Sequence, residues 1–532
     1  MSPTVARRAH PPVALAATGV AVVGLLSLPL AYLVVRAASG DAWDVLVSGN
    51  LARLIWETGV LVALVTISAL ALGVPLAWLV VRTDLPGSAL WGTAAALPLV
   101  VPSYVAALVL LAAFGPRGML QRILEPLGVE RAPEIYGLPG AWLALTLSTY
   151  PFVFLLAASA LRSLDPALED AARGLGRSPF DAFRRVTLPV LRPSLGAGAL
   201  LVALYVLSDF GAVSLMQYDS LTRAIFVQYR SLFDRTPAAV LALVLVVLTG
   251  LVLVLELRMR GRALARYRWT GTTAARRPRR VALGRWRWPA LGFCSLAVGF
   301  ALVVPIAVLL YWATRAFGRS EAVDWSWGPV LGSVSVSLLA AAVAVLATLP
   351  VAILAVRYPS AWTAVLERFS YAGNALPGIV IALALVFFAA NYATPIYQTI
   401  ALLVFAYVVR FFPQALAGSH SALVRVSPRL EEAARGLGRR PGEVFARVTA
   451  PLVAPGLLAG GALVFLSTMK ELPATLLLRP IGFETLATEV WKYTSVASYS
   501  RAALPALALI VVSAPIVYLL GVRSGSETGP PG

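Results

Sequence analysis

Few side chains in this 532-residue chain are equipped for chemistry. It has two lysines, Lys470 and Lys492, two histidines, His10 and His420, and one cysteine, Cys294. The lysines follow Met469 and Trp491, so the chain cannot form the phosphate-cradling G-x-x-x-x-G-K-[ST] loop that nucleotide hydrolysis needs. No clustered Cys and His spacing offers a catalytic metal its ligands. Ser419-His420-Ser421 places hydroxyls beside an imidazole but supplies no acid to orient it. Cys294 has no partner for an intrachain disulfide. No catalytic residue, no resident cofactor and no metal ligand is assigned.

The remaining candidates are carboxylates, and they come in pairs. Leu168 to Gly198 aligns without gaps, at a spacing of 262 residues, with Leu430 to Gly460, and 19 of the 31 positions are identical. This repeat carries Glu169-Asp170-Ala171-Ala172 with Gly176 in its first copy and Glu431-Glu432-Ala433-Ala434 with Gly438 in its second. The same spacing pairs Asp209 with Glu471, each at the end of an apolar stretch. An ionisable group inside a bilayer costs roughly 2.5–3.5 kcal/mol on insertion scales, so such a residue is a functional candidate by default. Two roles are open to this pair. Either both line a route through the membrane, or Glu471 neutralises Lys470 and Asp209 sits near the outer interface.

The elements that hold these residues are membrane helices. Hydrophobic residues make up 59% of the chain, charged residues 13%, and the mean hydropathy is +0.81. That is far more apolar than the roughly 45–50% of soluble domains. Runs of about 20 apolar residues, enough to cross a hydrocarbon layer at 1.5 Å per residue, predict an all-α polytopic protein of about 12 transmembrane helices. The expected spans are 13–35, 57–81, 88–114, 138–161, 194–217 and 236–257, then 289–313, 331–356, 373–391, 395–415, 456–478 and 502–522. Val74-Pro75-Leu76-Ala77 through Arg82 is echoed by Leu349-Pro350-Val351-Ala352 through Arg357, and Ala96-Leu97-Pro98 by Ala375-Leu376-Pro377. Two homologous six-helix halves in parallel orientation follow.

The first half is expected over 1–257, with its repeated loop at 165–193. The second is expected over 289–523, with its loop at 427–455. Residues 258–288 form a basic cytoplasmic linker with eleven arginines and no acid, suited to anionic lipid headgroups. Residues 524–532 read as a disordered tail. The net charge of +19 does not imply nucleic acid, because the basic residues concentrate in the segments that lie inside when both termini are cytoplasmic.

Within each loop, Asp165 and Ser427 are candidate N-caps before Pro166 and Pro428, and the following acids sit near the positive helix end. The helix is expected to stop at the glycines near 174–176 and 436–438. A second short helix begins at Pro179 or Pro441, carries Phe183 or Phe445, and is expected to be interrupted by Pro189 or Pro451. A protruding helix-turn-helix on the cytoplasmic face is suited to receiving a push, because coupling needs an element that both partners can bias.

This repeat resembles the EAA loop of permeases in ATP-binding-cassette importers: E-A-A, three residues, Gly, nine residues, Ile, any residue, Leu-Pro. It falls on Asp170-Ala171-Ala172, Gly176, Val186 and Leu188-Pro189, and on Glu432-Ala433-Ala434, Gly438, Val448 and Ala450-Pro451. The departures are Asp170 for Glu, Val186 and Val448 for Ile, and Ala450 for Leu. More narrowly, Pro98 to Tyr104, Ser208 to Val213 and Met469 to Thr475 are similar to the fused permeases of ferric-iron importers. The resemblance implies two copies of a cytoplasmic ABC ATPase that bind ATP and Mg and dock on the two loops. It also implies an extracytoplasmic substrate-binding protein, a bacterial inner membrane location and alternating access. Thiamine or phosphonate remains open as cargo, and so does a secondary transporter of two six-helix halves. Arg410 has Ser148 as its counterpart, and the sequence assigns it no role.

Overall fold

The computed structural model describes residues 11–38, 49–116, 118–127, 134–164, 166–231, 236–267, 280–318, 326–371, 373 and 376–526. Among them the chain is helical, with one isolated β-bridge between Thr83 and Val281. Among the described residues eleven helices are long and apolar enough to cross a membrane, and a shorter apolar one, Gly378–Tyr392, stands at the remaining expected position. Helices suit this solvent because each satisfies its own backbone donors and acceptors, which lipid cannot do.

In chain order the helices used below begin with α1 (Val13–Ala38), α2 (Gly49–Arg82), α3 (Ser88–Ala96), α4 (Ser103–Phe114) and α5 (Leu138–Ser163). Next come α6 (Pro166–Gly174), α7 (Leu188–Ser208), α8 (Gly211–Leu215), α9 (Leu221–Ser231) and α10 (Thr236–Tyr267). The second half begins with α11 (Arg287–Val298), α12 (Val304–Gly318), α13 (Gly328–Arg357), α14 (Ala361–Ser370) and α15 (Gly378–Tyr392). It ends with α16 (Ile400–Arg425), α17 (Pro428–Gly436), α18 (Ala450–Met469), α19 (Pro473–Leu478), α20 (Leu486–Ser495) and α21 (Tyr499–Ser526).

The chain forms two compact units, one of Trp43–Asp324 with Val490–Ala514, the other of Met1–Ala42, Trp325–Glu489 and Pro515–Gly532. In the first, α2 runs along α5 and both pack on α7; in the second, α13 runs along α16 and both pack on α18. The same three-helix core is thus built twice. Small residues let the backbones approach, as lipid-embedded helices require: a Cβ on Gly418 of α16 would sit 2.8 Å from the Gly456 carbonyl oxygen of α18.

The units are not coextensive with the sequence halves. Helix α1 packs on α13, α14 and α15, with Tyr32 edge-on to Phe388 at 5.7 Å and to Tyr392 at 5.9 Å. Reciprocally, α11 packs on α2 and α3, and α12 on α4, where the Trp312 indole donates to the Ala112 carbonyl at 3.3 Å. Each half's opening helix therefore lies in the unit whose bulk comes from the other half.

Several expected boundaries shift for local reasons. The span expected over 88–114 is broken into α3, a 3-10 turn over Leu97–Val100 and α4, because Pro98 and Pro102 lack the N–H a continuous helix would use. The helices expected at 194–217 and 456–478 end at Ser208 and Met469, and short helices α8 and α19 follow. Helix α10 runs to Tyr267, into the expected linker. Beyond residues 268–279, which lie outside the described set, the linker's end is stitched to the foot of α2. The Val281 N–H donates to the Arg82 carbonyl at 2.7 Å, and the Leu283 N–H to Asp84 Oδ1 at 2.8 Å. Helix α21 carries Ser524–Ser526 of the expected tail; residues 527–532, Asp165 and His10 lie outside the described set.

Pro189 and Pro451 do not interrupt their helices. A π-turn, Phe183–Thr187 or Phe445–Thr449, precedes each, separated from the proline by one residue, and the helix continues through α7 or α18. Widening the turn by one residue moves the carbonyl with which the proline ring would clash and leaves no donor missing. The same arrangement recurs at Gly299–Val303 before Pro305.

Candidate functional site

Both repeated loops fold alike. Helices α6 and α17 each open on a proline, with Glu169 or Glu431 in the first turn and Arg173 or Arg435 in the last, so charge opposes the helix dipole at both ends. Ser427 occupies the N-cap position without a side-chain capping bond. Each helix ends on a glycine in the left-handed region, Gly176 at φ 80° and Gly438 at φ 79°. There the Gly176 N–H donates to the Arg173 carbonyl at 2.9 Å and the Arg177 N–H to the Ala172 carbonyl at 3.2 Å. The second loop repeats both bonds, from Gly438 to Arg435 at 2.9 Å and from Arg439 to Ala434 at 3.3 Å. This is the glycine-terminated helix end expected from the sequence.

The outward face of each helix presents Asp170 and Ala171, or Glu432 and Ala433, with Ala172 and Ala434 half-buried. At each tip a leucine, Leu175 or Leu437, stands 84% exposed beside the turn glycine.

The inward face does something else. Glu169 accepts hydrogen bonds from the Arg82 guanidinium at the end of α2 and from the Thr187 hydroxyl in the π-turn. Glu431 accepts from Arg357 at the end of α13 at 2.9 Å and from Thr449 at 3.1 Å. Arg357 also donates to the Val426 carbonyl at 3.0 Å, and Arg435 lies 3.8 Å from Glu431. The Arg82 side chain is only 4% exposed. The sequence offers Glu169 with Asp170 and Glu431 with Glu432 as coupling candidates; the structure turns the first acid of each pair inward and the second outward.

The paired acids Asp209 and Glu471 both sit at a helix break. Asp209 is buried and accepts from the Ser103 hydroxyl, from the Ala212 N–H at 3.0 Å and from the Val213 N–H at 3.4 Å, which caps α8. Glu471 is buried, accepts from the Ala474 N–H at 3.1 Å to cap α19, and pairs with Arg410 Nη1 at 2.9 Å. Each backbone carbonyl accepts from a threonine hydroxyl, though from different places: Asp209 from Thr222 of α9 and Glu471 from Thr475 of α19. Arg410 thereby acquires a role the sequence did not assign. Gly378 occupies the position of Ser103 at the start of the equivalent helix, and a Cβ there would overlap the Arg410 guanidinium. Where one half uses a hydroxyl against its carboxylate, the other uses an arginine and a gap. Among the described residues no group of three or more His, Cys, Asp and Glu is placed to hold a metal ion.

Sequence reasoning missed Arg82, Arg357, Thr187, Thr449 and Gly378 as site residues. A signal existed for the arginines, which close the weaker echo, and for the threonines, which lie inside the strong one.

Comparison with known proteins agrees with this doubled geometry. The family model described as "Binding-protein-dependent transport system inner membrane component" matches residues 69–260 and 348–522, one copy over each loop. The chain is 33% identical over 500 residues to the Fe(3+)-transport system permease protein FbpB 2 of Haemophilus influenzae, covering 93% of this chain and 95% of that protein. It is 34% identical over 151 residues to the molybdenum transport system permease protein ModB of Escherichia coli, covering 28% of this chain and 65% of that protein. To the sulfate transport system permease protein CysW of Escherichia coli it is 34% identical over 196 residues, 36% of this chain and 66% of that protein.

Proposed function

We propose, from the premise that this chain belongs to the family of inner membrane components of binding-protein-dependent transport systems, that it is the transmembrane pair of a ferric-iron importer. The observation that carries the cargo is the match to an iron permease along nearly the full length of both chains, whereas the molybdenum and sulfate permeases match about a third of this one. Energy comes from elsewhere, since neither lysine is set in a phosphate-binding loop. Two ATPase copies, binding ATP and Mg, dock on α6 and α17 through Asp170, Ala171, Ala172 and Gly176 and through Glu432, Ala433, Ala434 and Gly438. A binding protein delivers iron at the outer face, and both termini lie in the cytoplasm.

Asp209 and Glu471 line the route in this reading. Hard trivalent iron prefers oxygen ligands, and a carboxylate just past the end of the corresponding helix in each half, at Asp209 and Glu471, offers it a negative station. Glu471 is partly neutralised by Arg410, which suits a site that must release its ion as readily as it takes it.

The test is uptake of radiolabelled ferric iron into proteoliposomes holding this chain, its ATPase and the binding protein. Uptake should require ATP and all three proteins, and Asp209→Asn or Glu471→Gln should lower it about tenfold or more at normal expression. Uptake by the chain alone under a proton gradient would overturn the importer reading. Undiminished uptake in both variants would remove the two carboxylates from the route.

A further inference from the structure

The two inward-facing glutamates point to a device inside the chain itself. We infer that Arg82–Glu169–Thr187 and Arg357–Glu431–Thr449 are transmission clamps: they lock each coupling helix to its own transmembrane helices, so that a push on the helix moves α2 and α7, or α13 and α18, as one body. The inference rests on the reading of α6 and α17 as the ATPase contacts.

Four observations carry it. First, the clamp is built twice with the same residue types, although its parts belong to two repeats of different spacing: the arginines lie 275 residues apart, the glutamates and threonines 262. Second, the arginines are sunk into the protein. The Arg82 side chain is 4% exposed and that of Arg357 13%. An exposed ion pair adds little, but removing one partner from a buried pair strands a charge. Third, each lever is short and depends on tertiary contacts for its shape. Each coupling helix has nine residues, and a Cβ at Gly176 or Gly438 would meet nothing.

Fourth, each glutamate reaches two different helices. Its arginine ends the second long helix of the half, while its threonine lies in the π-turn at the foot of α7 or α18. Helix α7 has 21 residues and α18 has 20, about 30 Å at 1.5 Å per residue. At their far ends stand Asp209 and Glu471. A clamp at the foot therefore acts on the break at the top. An ion pair with a hydrogen bond resists pulling as well as pushing, which a sliding apolar contact does not, and rigid elements with fixed connections are what carry coupling over such distances.

The experiment uses the complete transporter with its ATPase and binding protein in proteoliposomes. Arg82→Glu, Glu169→Arg and the double reversal are compared, with Arg357→Glu, Glu431→Arg and their double in the other half. Three quantities are read: ATPase co-purified, ATP hydrolysed, and iron imported per ATP. Single reversals should keep the ATPase bound and hydrolysing while iron per ATP falls about tenfold or more, and each double reversal should recover most of it. Thr187→Val and Thr449→Val, which carry no charge change, should lower iron per ATP about two- to threefold and serve if a reversal does not accumulate. Unchanged iron per ATP in the singles and the threonine variants would overturn the clamps. So would doubles no better than singles. Loss of the bound ATPase in the singles would also overturn them, placing the glutamates in the docking contact. Failure of the unmodified chain to hold an ATPase at all would instead defeat the importer reading beneath.

Discussion

Gly378 shows how much one missing methyl group can decide. The Arg410–Glu471 pair presses against its Cα, and a Cβ would overlap the guanidinium. Gly378→Ala should destabilise the purified protein by about 3 kcal/mol, the cost of overpacking joined to a disturbed buried pair. The check is a thermal melt in detergent. Adding Arg410→Ala should make the combined loss smaller than the sum of the single losses, because the second change removes the atom the first collides with. Ser103→Ala in the other half deletes one hydrogen bond to a carboxylate and should cost about 2 kcal/mol.

The sequence made these residues unequally legible. Asp170, Glu432 and the turn glycines were readable because everything that shapes them is local: a proline to start the helix, acids on its first turn, a glycine to end it. That Glu169 and Glu431 turn inward was not readable, since adjacent residues look equivalent until a partner fixes the rotation, and that partner lies 87 residues away for Glu169 and 74 for Glu431. Arg410 and Glu471 are 61 residues apart on different helices, and no periodicity links them.

At the scale of elements, the recurrent device is a helix that changes pitch without stopping. Three π-turns each stand one residue before a proline, at Pro189, Pro305 and Pro451. Proline rules read from sequence predict an interruption, because they consider the missing N–H and not the option of a wider turn. In the two loops the wide turn also carries the buried threonine that reaches Glu169 or Glu431. Deleting Arg447 would remove one residue from Phe445–Thr449 and rotate everything before it by about 100° relative to α18. The protein should still insert in the membrane, while uptake should fall to the level of a chain lacking ATPase. Membrane fractionation beside uptake of labelled iron checks both parts; normal uptake would show that the turn's pitch is immaterial. The broken third helix and the short helices α8 and α19 belong to the same class, for hydropathy reports how apolar a stretch is and not whether it is continuous.

For the whole molecule, the repeat predicted two halves and the structure builds the same three-helix core twice, but the opening helices are traded. Hydropathy finds a span without saying which neighbours it will choose, so this exchange was out of reach of the sequence. It has a direct test. Two separately encoded pieces, residues 1–273 and 274–532, should co-purify through a tag on either one and import iron within about threefold of the intact chain, since α1 and α12 each pack against helices of the other piece. The first piece alone should be poorly stable, lacking the α13, α14 and α15 surface that α1 covers.

The trade also sets a timetable at the ribosome. Helix α1 leaves the exit tunnel long before the segments it will rest on, which are encoded from Gly328 onward. At about 10 residues per second it must wait on the order of half a minute in the bilayer before they emerge. During that interval its own closed set of backbone bonds shields its polar groups from the surrounding acyl chains, so a helix made early finds its place late.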